Sequence, residues 1–207
     1  MRAPPSGGGG GAAPDIHGYP QMDTARAGTR YYYAGMYGSY AAMGMFQYNA
    51  NVINAVPVVF ARDTTLVGLH VQVIGAAALK VIRLGIYDSI NDASNLYPNN
   101  LILDAGTVST TLVAFVSIAI NQTLTGGKLY WLASVSDAAP VTQCPERYTM
   151  WPILGWDATL SGAGGGNRGG RAWYAPFVYA ALPATFPTVG SAIFGNVQVP
   201  GLIYSMA

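Results

Sequence analysis

Residues 84–137, LGIYDSINDASNLYPNNLILDAGTVSTTLVAFVSIAINQTLTGGKLYWLASVSD, hold three β-type runs joined by turn-rich connectors. Apolar and polar side chains alternate with a period of two through most of the chain beyond residue 51, and that period belongs to a strand. In LHVQV, Leu69, Val71 and Val73 share one face, with His70 and Gln72 on the other. In residues 80–86, Ile82, Leu84 and Ile86 lie opposite Arg83 and Tyr87. Further runs fall at 101–103, 112–120 and 129–135; in the last, Leu129, Trp131, Ala133 and Val135 alternate with Tyr130, Leu132 and Ser134. Residues 172–180 and 193–199 are later strand candidates. YPNN, LTGGK and VPG punctuate the gaps with turn-forming residues, LTGGK reading as a hairpin turn. No segment carries a helical apolar stripe with caps. Seven or more short strands at this spacing predict an all-β sandwich or barrel.

Charge narrows the function classes. Only 9% of residues are charged and the net charge is +1, against roughly 25% charged in ordinary globular proteins. A polyanion-binding surface needs a basic excess to release counterions, so nucleic acid is not an expected partner. So few charges on a solvated monomer invite association, and the expected state is an oligomer or a larger assembly. Cys144 is the only cysteine, which rules out an intrachain disulfide and a thiolate metal cluster and leaves a packed thiol. MRAPPSGGGGGAAP lacks the apolar stretch of a signal peptide. No run reaches the ~18 apolar residues of a membrane helix, and no membrane span is expected.

The chain divides into an arm with a docking segment, residues 1–49, and a sandwich, residues 50–207. Residues 1–30 are rich in Gly, Pro and Ala and bury too little apolar area to offset ordering entropy. From Tyr31 to Ala61 there is no charged residue. Tyr31, Tyr32, Tyr33, Met36, Tyr37, Tyr40, Met43 and Met45 read as a partner-docking element, since Tyr and Met suit protein contacts. A loop covering the domain's own core is the other reading. Residues 138–171 form a long excursion, and loops of that length are usually functional or mobile. Within it Trp151 and Trp156, with Arg168 and Arg171, are candidate ligand contacts. The alternative is that the two Trp side chains close one end of the sandwich.

The search for a reaction centre finds little. A nucleophilic triad needs a base, and the histidines are His17, in the arm, and His70, mid-strand, where a solvated or hydrogen-bonded ring is expected. No metal-ligand cluster is evident. LTGGKL lacks the first Gly and the Ser/Thr of a phosphate loop. Asp88, Asp92 and Asp104 are the only local carboxylate group; Asp88 and Asp92 flank DSINDASN without the Glu or spacing of an EF-hand, so they read as turn formers. GGGNRGGR supplies two arginines, too few for a basic patch. The chain is read as non-enzymatic, without metal or cofactor.

One resemblance adds to this. Gly85-Ile86-Tyr87, Tyr97-Pro98, Leu101 to Val108, Leu124 to Gly127 and Tyr130 to Ala133 stand in an order that resembles a β-sandwich module of tailed-phage virion appendages, among them head-fibre, decoration and tail-fibre proteins. AVPVVFARDTTLVGLHVQV (residues 55–73) is similar to its opening strands. The resemblance covers roughly residues 50–137. It implies a jelly-roll-like β-sandwich behind an extended Gly-rich arm, a location on the virion surface, contacts with capsid or tail proteins, and assembly as a homotrimer. It brings no catalytic residue. The alternative expectation is a tail-fibre protein that recognises a host surface glycan through Trp151, Trp156 and the Gly-rich loop.

Overall fold

The computed structural model describes residues 31–36, 43–92, 95–146, 149–150, 154, 170–193 and 198–207. They contain twelve strands: β1 (Tyr31–Tyr33), β2 (Met43–Gln47), β3 (Val52–Val59), β4 (Thr64–Gly75), β5 (Val81–Asp92), β6 (Asn95–Ser109), β7 (Ala114–Leu124), β8 (Leu129–Ser136), β9 (Val141–Pro145), β10 (Ala172–Pro176), β11 (Ser191–Ile193) and β12 (Ile203–Met206). Two antiparallel six-stranded sheets pack face to face, as the alternation predicts. In the first sheet β4 is the spine. One edge of β4 pairs with β7 from Thr64↔Leu124 to Val73↔Ala114. Its other edge carries β12 and then β1 along the first half, and β9 and then β2 at the far end. The second sheet runs β11-β10-β3-β8-β5-β6.

The inter-sheet core takes the residues that the period marked. Leu66, Leu69, Val71 and Val73 of β4 meet Ile82, Leu84 and Ile86 of β5, with Val56, Val58 and Leu132 beside them, all buried. Each such side chain contributes about 1.5–3 kcal/mol on full burial. Trp131 lies elsewhere. It pairs with Tyr87 across β5–β8, while Leu132 pairs with Ile86, so Trp131 and Ile86 point to opposite faces of the second sheet. Trp131 belongs to a second core with Ile53, Ala133, Val135 and Phe186. Every residue of β8 is buried, the mark of a strand covered on both faces.

The cover over that second face is residues 177–190, which cross it with little strand of their own. The Leu101 and Phe186 amides donate to Ala184 and Asn99 carbonyls at 2.9 and 2.8 Å. Tyr87 and Tyr97 hydroxyls donate to the Pro183 and Pro187 carbonyls at 2.8 and 2.5 Å. Leu182 N–H donates to Asp104 at 3.1 Å, and the same carboxylate takes the Arg83 Nε–H at 2.8 Å. Asp104 is thus a fastener between sheet and cover.

Four expectations change. First, the boundary at residues 49/50 does not separate an arm from the sandwich: Tyr31↔Ser205 and Met43↔Pro145 are sheet pairs, so β1 and β2 are part of the first sheet. Second, residues 88–92 and 95–100 of DSINDASNLYPNN belong to strands. The register shift between Tyr87 and Ser89 in the β5–β6 ladder absorbs its irregularity, and Pro98 is tolerated because β6 is an edge strand. Third, Asp88 sits within β5 and receives the Asn100 amide at 2.6 Å, so it locks two strands and forms no turn. Fourth, LTGGK joins β7 of one sheet to β8 of the other and is no hairpin. Its Gly126 and Gly127 amides donate to Asp63 Oδ1 at 2.9 Å and the Phe60 carbonyl at 2.8 Å, which braces it against the neighbouring crossover.

Candidate interaction surface

No strand of the first sheet contains Asp, Glu, Lys or Arg. The charged residues that lie within strands are on the second sheet, at Arg83, Asp88, Asp92 and Asp104. The first sheet still has an outward face. On β7, Val116, Ile118 and Ile120 pack on the core while Phe115, Ser117, Ala119, Asn121 and Thr123 are exposed. On β1 the same period splits the tyrosine triplet. Tyr32 turns inward and stacks on Tyr204 with centroids 5.6 Å apart; Tyr31 is 54% exposed. Tyr33 reaches across to Gln143, its hydroxyl donating to Oε1 at 3.4 Å. Met45, opposite Gln143 on β9, is 69% exposed.

At the middle of this face is His70. Its Nδ1 and Nε2 are 2.8 Å from Ser117 Oγ and 2.9 Å from Ser205 Oγ. A neutral imidazole has one N–H, so one serine accepts from the ring and the other donates to it. Phe115 stacks on the ring at 5.2 Å and Tyr31 meets it edge-on at 4.9 Å. Gly68 makes room underneath: a Cβ there would lie 2.5 Å from His70 Nε2 and 2.7 Å from Ser205 Oγ. The ring is nearly enclosed, and burial lowers its pKa below the ordinary 6.5.

The sign of that shift fixes a pH effect. The folded chain disfavours the imidazolium, so below about pH 6.5 the unfolded chain binds more protons. Stability is full above 6.5 and falls as the pH drops toward the folded value. Urea unfolding at a series of pH values between about 7.5 and 5.5 is expected to show the midpoint fall, and His70→Gln to remove that slope. A wild-type midpoint independent of pH in this range would overturn the assignment.

The predicted docking residues are only partly gathered here. Tyr31, Tyr33, Met43 and Met45 lie on β1 and β2, Tyr32 is turned to the core, and Met36 forms an isolated bridge with Met150. Tyr37 and Tyr40 lie outside the described residues, as do Trp151, Trp156 and Arg168. Arg171 is described and is 0% exposed. It immediately precedes β10 and donates its amide to the Ile193 carbonyl at 3.1 Å. Among the described residues no group of three or more His, Cys, Asp or Glu is placed to hold a metal ion. Cys144 is buried, and burial, with Glu146 nearby, pushes its thiol up to about 12.

Comparison with family models, with curated proteins and with solved structures finds no match for this chain. What the surface offers is therefore read from its own chemistry. Sequence reasoning missed Phe115, Ser117 and Ser205 as members of the His70 cluster. The only signal was the alternation that put each on a polar face; their convergence needs β7, β4, β12 and β1 to be neighbours. The arrangement can bind through aromatic faces, hydroxyls and amides without charge.

Proposed function

We propose that this chain is a non-enzymatic structural component of a bacteriophage particle, of the capsid-decoration, spike or head-fibre kind. It docks through the N-terminal segment and the uncharged outer face of the first sheet, and projects the remainder of the sandwich. The observation that carries this reading is a whole sheet without a charged residue that still exposes Tyr31, Met45 and Phe115. Desolvating such a face costs no ion its hydration, and exposed apolar patches of this kind mark interaction sites. The resemblance of residues 50–137 to phage appendage modules supplies the setting.

The test is incorporation into particles. Phage assembled with a chain that lacks residues 1–30 and carries Met45→Lys is expected to hold at least about tenfold less of it than wild type, because a buried lysine and a lost anchor remove interface energy. Met45 is exposed, so the lysine leaves the fold intact. Purified particles that retain the wild-type amount of the variant would refute the reading.

A further inference from the structure

Sheet edges need protection, because a row of unpaired N–H and C=O groups recruits other strands. Most edges here are protected. β1 and β11 have three residues each and β2 has five. β6 is long, but it carries Pro98 and Asp104, a left-handed Gly106 at φ 102°, and three register shifts against β5. β7 has one of them, a register shift against β4 between Leu66↔Gln122 and Gly68↔Ala119. It spans eleven residues, AFVSIAINQTL, with no charge, proline or glycine. At about 3.4 Å per residue it presents roughly 37 Å of edge. Six consecutive pairs, from Gly68↔Ala119 to Val73↔Ala114, run without a shift. Among the described residues its only hydrogen-bonded strand neighbour is β4, and β6 of the second sheet lies close by. Just before it Leu112 and Val113 are 71% and 63% exposed, and Phe115 is 41% exposed.

We propose that two copies of this chain pair edge to edge through β7, antiparallel about a two-fold axis, joining their first sheets into one continuous sheet. An edge whose backbone groups pair with no second described strand selects a β-strand as its occupant. A second β7 fits because antiparallel pairing of a strand with its own copy closes under a two-fold. The uncharged first sheet brings no like charges together at that axis. The apolar residues at 112, 113 and 115 of one copy then lie toward the far end of the other's strand. This pairing is two-fold, in contrast to the three-fold assembly implied by the phage resemblance, and needs nothing but the chain itself; it stands or falls independently of the particle reading.

The experiment is sedimentation equilibrium on the full chain at micromolar concentration, for wild type and for Ala119→Lys/Asn121→Lys. Both positions are exposed on β7, and lysine is the residue that commonly blunts an edge. Wild type is expected to be a dimer, and the double variant to dissociate at least about tenfold more readily, since like charges meet across the axis. Circular dichroism of the variant should match wild type. As a second readout, Ala119→Cys is expected to form a covalent dimer under mild oxidation, with the buried Cys144 silent. A wild-type monomer, a closed trimer, or a dimer indifferent to the two lysines would each overturn the proposal.

Discussion

Trp131→Ala is expected to lower the stability of the folded chain by about 3–5 kcal/mol, the usual cost of deleting a large aromatic side chain from a packed core. The side chain is fully buried and is the largest such side chain among the described residues. It fills the space between the second sheet and residues 177–190, where Tyr87 and Phe186 meet edge-to-face at 5.5 Å and Tyr97 meets Trp173 at 4.7 Å. Little can collapse into the gap, because the cover is held by hydrogen bonds from Tyr87, Tyr97 and Leu182. One term works the other way. Trp131 Nε1 has no hydrogen-bond partner among the described residues, so removing the indole also removes a buried unpaired donor worth about 1–3 kcal/mol. Trp131→Phe, which keeps most of the volume and drops that donor, should therefore cost far less than Trp131→Ala. Urea unfolding of both variants checks this. A loss below about 1 kcal/mol for Trp131→Ala would mean that the second core contributes little.

Gly201→Ala should be the other severe change, through a different mechanism. Gly201 is buried, and a Cβ there would overlap the Gln143 carbonyl oxygen and lie 2.8 Å from Cys144 Cα. Both are backbone atoms of β9, so no flexible side chain can swing aside. Overpacking of this sort costs about 1–3 kcal/mol and often more when backbone must shift. The strain is placed where it affects the surface. The Leu202 carbonyl accepts from Ala34 N–H at 2.8 Å, and β12 begins at Ile203 with β1 beside it. Pushing residues 200–202 off β9 loosens the strands that bring Ser205 and Tyr31 to His70. The expected result is a lower unfolding midpoint together with a His70 ring that titrates closer to 6.5, followed by imidazole NMR shifts. Gly127→Ala provides the contrast. Its φ is +72° and nothing lies within 4 Å of the added Cβ, so its cost is conformational, about 1–2 kcal/mol, and His70 should not respond.

The two variants separate the contributions that the fold combines. Trp131 reports on the cover of the second sheet, and Gly201 on the seam between β9 and β12 that supports the outward face of the first. Neither touches the exposed edge of β7 or Met45, so the association experiments and the stability experiments read different parts of the molecule.

Local alternation was enough to name the faces. Leu69, Val71 and Val73, and likewise Ile82, Leu84 and Ile86, came out of the sequence as shared sides of strands and lie in one core, because side-chain direction in a strand depends only on parity. Parity says nothing about what covers each side. Leu129 and Trp131 alternate with Tyr130 and Leu132 whether one face is buried or both, and only the path of residues 177–190 decided that both are. The same limit explains the short strands. β1, β2 and β12 have three to five residues, too few to show a period; they exist because Tyr31 pairs with Ser205 and Met43 with Pro145, over separations no local pattern records. LTGGK announced a turn through its glycines, yet its destination in the opposite sheet depended on Phe60 and Asp63 waiting to receive two amides. So the sequence by itself determined an all-β chain with an uncharged Tyr/Met-rich stretch and no evident reaction centre. Tertiary structure alone brought Tyr31 and Met45 of that stretch to an outward sheet face, set Tyr31 against His70, and, among the described residues, left β7 as a long edge with one register shift as its guard.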